Sequence, residues 1–171
     1  WNASGQIPQR AVNDGLITRF GALDDTEGGN TDRTNLNLLH VQTLSNGATI
    51  NNNAWLSYYH FNLYSNFTFF LKDSVNGDQI NQRENRLLGG TNSEYNQSFD
   101  WGKTNWQFKG GIGFRYDQVK DLALYHTVSR QRIGTFALGD VNESSLYGYA
   151  SADIEWGKWM INPAVRLDYF T

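Results

Sequence analysis

The sequence predicts an all-β protein, an antiparallel meander that forms part of a large transmembrane β-barrel. Three observations carry this. Apolar and polar residues alternate with period two over long stretches, while no sustained apolar i, i+3, i+4 pattern marks a helix. The connections alternate between short turns with glycine and long polar segments. Tryptophans gather at the short-turn ends of the apolar stripes, where an indole ring is half buried with its N–H in water.

Six strands are expected, in order. Residues 34–44 are apolar but poorly phased, with Leu36 and Leu38 on one parity and Leu39 and Val41 on the other. Residues 55–71 place Trp55, Tyr59, Phe61, Leu63, Phe67, Phe69 and Leu71 on one parity, interrupted by Ser57 and Ser65. Residues 83–101 set Leu87, Gly89, Tyr95, Phe99 and Trp101 opposite Glu84, Arg86, Glu94, Asn96 and Asp100. Residues 106–117 alternate most regularly: Trp106, Phe108, Ile112, Phe114 and Tyr116 on one face, Lys109, Gly111, Gly113, Arg115 and Asp117 on the other. Residues 144–156 set Leu146, Ala150, Ile154 and Trp156 against Tyr147, Tyr149, Asp153 and Glu155. In residues 159–170, Trp159, Ile161, Val165 and Leu167 oppose Arg166 and Asp168. Strand side chains point alternately to opposite faces, so each segment presents one apolar and one largely polar face.

Short turns are expected at Ser45-Asn46-Gly47 and at two copies of Trp-Gly-Lys, 101–103 and 156–158. Asn-Gly is a strong hairpin signal. Long polar connections are expected at 1–33, 72–82 and 118–143, with 122–128 as a short strand or part of a loop hairpin. Short turns on one rim and long loops on the other are the pattern of outer-membrane barrels. The long connections, 1–33 included, are then extracellular, and residues 34–171 hold the strands. The chain opens on a polar loop at Trp1 and stops within a strand at Thr171, so it is expected to be a section of a larger parent.

Composition excludes several classes. With 14 Lys+Arg against 17 Asp+Glu, the net charge is −3, which offers no basic face to nucleic acid. The absence of cysteine excludes disulfides and Cys-ligated metal sites. No apolar run approaches the ~18 residues of a membrane helix. A soluble, aromatic-rich, carbohydrate-binding β-sandwich would also alternate. The barrel is favoured by the clustered Trp101, Trp106, Trp156 and Trp159 and by the uncharged apolar stripe of 106–116. Solubility without detergent would favour the sandwich.

The residues also carry a family resemblance. Residues 1–12, WNASGQIPQRAV, with Arg19-Phe20-Gly21-Ala22-Leu23-Asp24 and 27–33, EGGNTDR, resemble TonB-dependent outer-membrane receptors. So do residues 65–71, SNFTFFL, followed by Asn76-Gly77-Asp78-Gln79, and Gly113-Phe114-Arg115-Tyr116-Asp117. The resemblance covers nearly the whole chain. It implies a 22-stranded barrel with an N-terminal plug in the outer membrane of a Gram-negative bacterium. Such receptors import a scarce nutrient, such as a ferric siderophore, with energy from the TonB complex. The implied partners are outer-membrane lipid, the remaining strands and plug of the parent, the TonB complex and the small-molecule ligand. This chain holds no plug and about six strands, too few for that barrel, and so is expected to be a middle section of it. No cofactor is implied, and the reading is of a transporter rather than an enzyme. An autonomous porin or an outer-membrane enzyme barrel is the alternative; the latter needs a Ser/His/acid set on neighbouring strands, and none is visible.

Candidate ligand-binding residues are Arg115, Tyr116, Tyr147, Tyr149 and Arg166, at the rim ends of the strands. Against a ligand role, Arg115/Asp117 and Arg166/Asp168 are also suited to structural pairing. Asp24, Asp25, Glu27 and Asp32 lie beside Gly28 and Gly29 and form a candidate Ca²⁺ cluster, without the spacing of an EF-hand. Asp73, Asn76 and Asp78 form a smaller set of the same kind. His40, His60 and His126 are scattered, and nothing in their spacing makes them converge.

Overall fold

The computed structural model describes residues 1–3 and 5–171; Ser4, part of the first resemblance motif, lies outside the described residues. One helical turn, α1 (Gln9–Asn13), precedes strands β1 (Gly28–Thr43), β2 (Thr49–Ser65), β3 (Ile80–Trp101), β4 (Thr104–Val128), β5 (Gln131–Trp156), β6 (Trp159–Ile161) and β7 (Ala164–Phe170). They form one antiparallel meander in the order β1-β2-β3-β4-β5-β6, with β7 also on β5. β6 and β7 are one strand interrupted at Asn162-Pro163. Proline has no N–H for the ladder, yet its carbonyl still accepts from the Ala152 N–H at 3.0 Å. β1 lies at one edge and β6 and β7 at the other, with no pairing between the two edges among the described residues. No helix is long and apolar enough to cross a membrane, which leaves crossing by strands untouched.

Several segment boundaries differ from the sequence reading; β2 already starts at Thr49 rather than 55 and β3 at Ile80 rather than 83. Residues 118–143 are not a loop. β4 and β5 run on through them and meet in a two-residue turn, Ser129-Arg130, with φ of 46° and 67°. Both are left-handed, as in the tight turn that matches strand twist, but neither is the Asn or Gly that normally marks it. β1 begins at Gly28, inside the segment 1–33 expected to be loop. β2 ends at Ser65, so Phe67, Phe69 and Leu71 belong to the connection to β3. The turns at 101–103 and 156–158 form as expected, with Gly102 at φ 64° and Gly157 at φ 60°, a region costly to a side chain but open to glycine.

Contacts divide the chain into two compact units. The first comprises Trp1–Arg33, Tyr59–Arg86 and Val119–Val141. Its buried residues are mostly polar: Glu27, Ser65, Asn66, Gln79, Asn81 and Thr127, beside Val119, Ala123 and Tyr125.

The second unit comprises Thr34–Tyr58, Leu87–Gln118 and Asn142–Thr171. Its strands have two distinct faces. On β5 and β7, Tyr149 lies opposite Arg166 and Tyr147 opposite Asp168, while Gly148 lies opposite Leu167 and Ala150 opposite Val165. Polar thus meets polar on one face and apolar meets apolar on the other. The apolar face is uncovered: Ile112 is 66% exposed, Val165 60% and Leu167 76%. An aromatic cluster sits at the short-turn end, with Trp106 5.9 Å from Phe99 and 5.7 Å from Trp101. Trp156 pairs with Trp159 across the next turn.

On β2 the stripe containing Trp55 and Ser57 proves to be on the polar face. The Arg115 guanidinium stands 5.8 Å from the centre of the Trp55 ring, and the alternate residues Leu56 and Tyr58 are exposed. Ser57 interrupting the stripe was the sequence sign that it was not a lipid-type face.

Ile112→Arg tests the two faces. In a bilayer a midplane arginine on the apolar face is expected to cost about 2–4 kcal/mol. Gln107→Arg, on the polar face of β4, is expected to stay within about 0.5 kcal/mol of the parent. Gly111 is a poor control, since a Cβ there would meet the Tyr149 ring at 2.7 Å. Denaturant unfolding of the protein in lipid vesicles measures both; equal costs would remove the face assignment.

Candidate ligand-binding face

The polar face of the second unit gathers four of the five expected ligand residues. Arg115 donates from Nε to Asp117 Oδ1 at 2.8 Å and from a terminal nitrogen to Oδ2 at 2.6 Å. Arg166 makes the same fork with Asp168, at 2.8 and 2.7 Å. Residues two apart on a strand share a face, so each Arg-x-Asp closes on itself. Between these strands β5 supplies Tyr147 and Tyr149. Arg166 lies 4.2 Å over the Tyr147 ring, and the Tyr149 hydroxyl donates to Glu94 on β3. Gly113 and Gly111 make the space: a Cβ at either would strike the ring of Tyr147 or Tyr149. A cleft of about 310 Å³ opens between Arg115, Asp117, Glu143, Ser144, Ser145 and Phe170.

Tyr116 stands apart from the other four. It alternates with Arg115 and so projects from the opposite face, where its hydroxyl reaches Asn142 Oδ1 at 3.2 Å. Sequence reasoning passed over Trp55 and Glu94 as parts of this face. Trp55 had been grouped with an apolar stripe, and Glu94 had no visible partner until β3 and β5 came onto one surface. The larger cleft of about 580 Å³, lined by Ile112, Leu146, Val165 and Leu167 among others, is almost wholly apolar and belongs largely to the exposed face.

In the first unit the hub is Gln79. Its amide nitrogen donates to Asp24 Oδ2 at 3.0 Å and Thr26 Oγ1 at 2.5 Å, and its oxygen accepts from the Thr127 hydroxyl and the Arg130 N–H, both at 2.9 Å. Arg130 then reaches the carbonyls of Thr26 and Glu27, at 2.7 and 3.3 Å, and covers the Tyr64 ring. These contacts hold the left-handed Ser129-Arg130 turn in place.

Two of the four candidate Ca²⁺ carboxylates, Asp24 and Glu27, are engaged otherwise. Asp24 accepts from Thr26, Asn66 and Gln79, and Glu27 accepts from the Asn66 N–H at 2.6 Å. Among the described residues no group of three or more His, Asp or Glu side chains is placed to hold a metal ion. Burial pushes the Asp24 carboxyl up, but the hydrogen bonds from Thr26, Asn66 and Gln79 outweigh it and hold it below the usual range. Asp73 and Asp78 act as loop caps: Asp78 accepts from Thr68 and from the N–H groups of Lys72 and Asp73, and Asp73 from Val75 and Asn76. The His126 Nε2–H donates to the Gly77 carbonyl at 2.6 Å. His60 bonds Asn85 and His40 bonds Asn52.

No protein-family model and no curated protein matches the chain. Two solved structures do. The ferric citrate transporter FecA, in its unliganded form, superposes with a TM-score of 0.73 at 14% identity, over 98% of this chain and 24% of that one. The outer membrane transporter YddB from Escherichia coli gives a TM-score of 0.54 at 15% identity, over 84% of this chain and 22% of that one. The chain has the fold of an outer-membrane transporter barrel section. Both neighbours are transporters rather than enzymes, and the barrel section spans about a quarter of each. The uncovered apolar face, the aromatic cluster at the short turns and the open edges are what such a section requires.

Two measurements test the loop network of the barrel section. Gln79→Ala leaves the buried Thr127 hydroxyl and the Asp24 carboxylate short of partners, at a cost of about 1–3 kcal/mol. Exchange of the Arg130 amide hydrogen is then expected to speed up roughly ten- to hundredfold, and unchanged protection would remove Gln79 as the hub. Hydrogen bonds from Thr68, opposed by desolvation, and then from Asp73 and Lys72 lower the Asp78 carboxyl from 3.8 to about 2. A folded-state value below the unfolded one gives stability that is complete above 3.8 and lost as pH falls through about 2. Limited proteolysis of 68–78 is therefore expected to rise across that window, and not above it.

Proposed function

We propose that this chain is a section of an outer-membrane receptor that takes up a siderophore or similarly scarce nutrient by TonB-dependent active transport. One observation supports this best: a chain with the fold of a quarter of a ferric citrate transporter carries a polar face on which Tyr147, Tyr149, Arg115 and Arg166 converge. On this reading the apolar face meets outer-membrane lipid of a Gram-negative bacterium and the polar face lines the lumen. β1 and β6–β7 pair with the remaining strands of the parent, since open edges do not persist in lipid. The plug and the TonB complex act through the parent. The segments around Gln79, with the β4–β5 hairpin, form the extracellular side, where loops on a rigid barrel carry recognition.

The test uses the full-length parent in a Gram-negative host. Uptake of a radiolabelled ferric siderophore is expected to require TonB. Tyr147→Ala with Tyr149→Ala is expected to weaken binding about tenfold or more, the usual consequence of truncating aromatic anchors. TonB-independent uptake, or unchanged affinity with the receptor still at the surface, would overturn the reading.

A further inference from the structure

We infer that this face selects a ferric chelate carrying no net negative charge, an inference that rests on the uptake reading above. An anionic ligand needs a cation free to meet it. The second unit carries three cations on the polar face, and each already has an acidic neighbour. Arg115 is forked onto Asp117 and lies in the field of Glu143. Arg166 is forked onto Asp168, with its flat side over Tyr147. Lys109 lies in the field of Glu94. To reach either arginine through its fork, an anion must break a two-bond ion pair and strand a carboxylate, which is costly.

The excess charge has the opposite sign. Asp153 and Glu155 share the parity of Tyr147 and Tyr149 on β5, and Asp100 shares that of Glu94 on β3. Asn105 bonds Asp100 across the β3–β4 turn, and Asn162 bonds Asp153. Even with Lys103 and Lys158 of the short turns counted, five cations of this unit stand against seven carboxylates. A surface of one dominant sign, backed by a low-dielectric wall, concentrates its field on whatever approaches. What remains for recognition is uncharged or acidic: tyrosine rings laid over Gly111 and Gly113, the Tyr149 hydroxyl held by Glu94, and the serines of the cleft beside Glu143. These groups suit a hydroxylated, amide-rich chelate, neutral or cationic, and disfavour a polyanion.

Binding of three ferric chelates to the purified full-length receptor separates the possibilities. They are a neutral trihydroxamate, the same chelate bearing one free amine, and a trianionic tris-catecholate. The two hydroxamates are expected to bind at least about tenfold more tightly than the tris-catecholate, a difference of one charge interaction or more. The isosteric pair Glu143→Gln with Asp153→Asn is expected to narrow that gap several-fold. A tris-catecholate bound as tightly as the hydroxamates, or a gap that these substitutions leave unchanged, would overturn the inference while leaving uptake intact. Failure of all three chelates to bind would overturn the uptake reading and the inference with it.

Discussion

Backbone pairing between neighbouring strands is the interaction on which the rest of this structure depends. The described residues contain almost no apolar core: the buried hydrophobic residues are Ala48, Val119, Ala123, Tyr125 and Ala152, most of them small. Among the described residues no second sheet covers the apolar face, so side-chain burial cannot be what holds the strands in register. The ladder does that, and it leaves both faces free for other duties. A soluble sandwich would place large residues such as Ile112 and Leu167 against a facing sheet; here they remain exposed.

Where the strands leave their regular alternation, polar side chains replace the missing ladder. Gln79 shows how. Its amide has two donors and an acceptor oxygen, and all of that capacity is used to join the segment before β1, the start of β3 and the tip of the β4–β5 hairpin. A buried amide so fully satisfied fixes geometry well, because any displacement leaves polar groups unpaired in a low-dielectric interior. The same logic explains the acidic residues of the first unit. Asp24, Glu27, Asp73 and Asp78 cap backbone N–H groups and neighbouring side chains.

The polar face of the second unit depends on the contrast between glycine and tyrosine. Gly111 and Gly113 clear a strip of backbone on β4, and the rings of Tyr149 and Tyr147 fill it from β5. The rings then lie against main chain, within reach of Glu94 and Arg166. The two Arg-x-Asp forks flank them, which makes the arginines electrostatically quieter than their number suggests.

The sequence alone determined the fold class, the short turns and the two-faced character of β4, β5 and β7. Each follows from period-two alternation and from local turn chemistry, which need no knowledge of distant residues. The β4–β5 hairpin tip was illegible, because Ser129-Arg130 is not a turn sequence by local preference. Its left-handed backbone is imposed by contacts to Gln79, Thr26 and Glu27, at least 51 residues away. The face of Trp55 was illegible for a related reason. An aromatic residue suits either lipid or a cation, and only the approach of Arg115 from β4 decided between them. Residues such as Arg115, Tyr147, Tyr149 and Arg166 could be chosen from their strands. The Arg-x-Asp pairing and the opposite face of Tyr116 follow from alternation within one strand, whereas the meeting of the other four residues across β4, β5 and β7 depended on the register and order of the strands. Those are tertiary properties, because a one-residue slip would exchange the faces without altering the sequence.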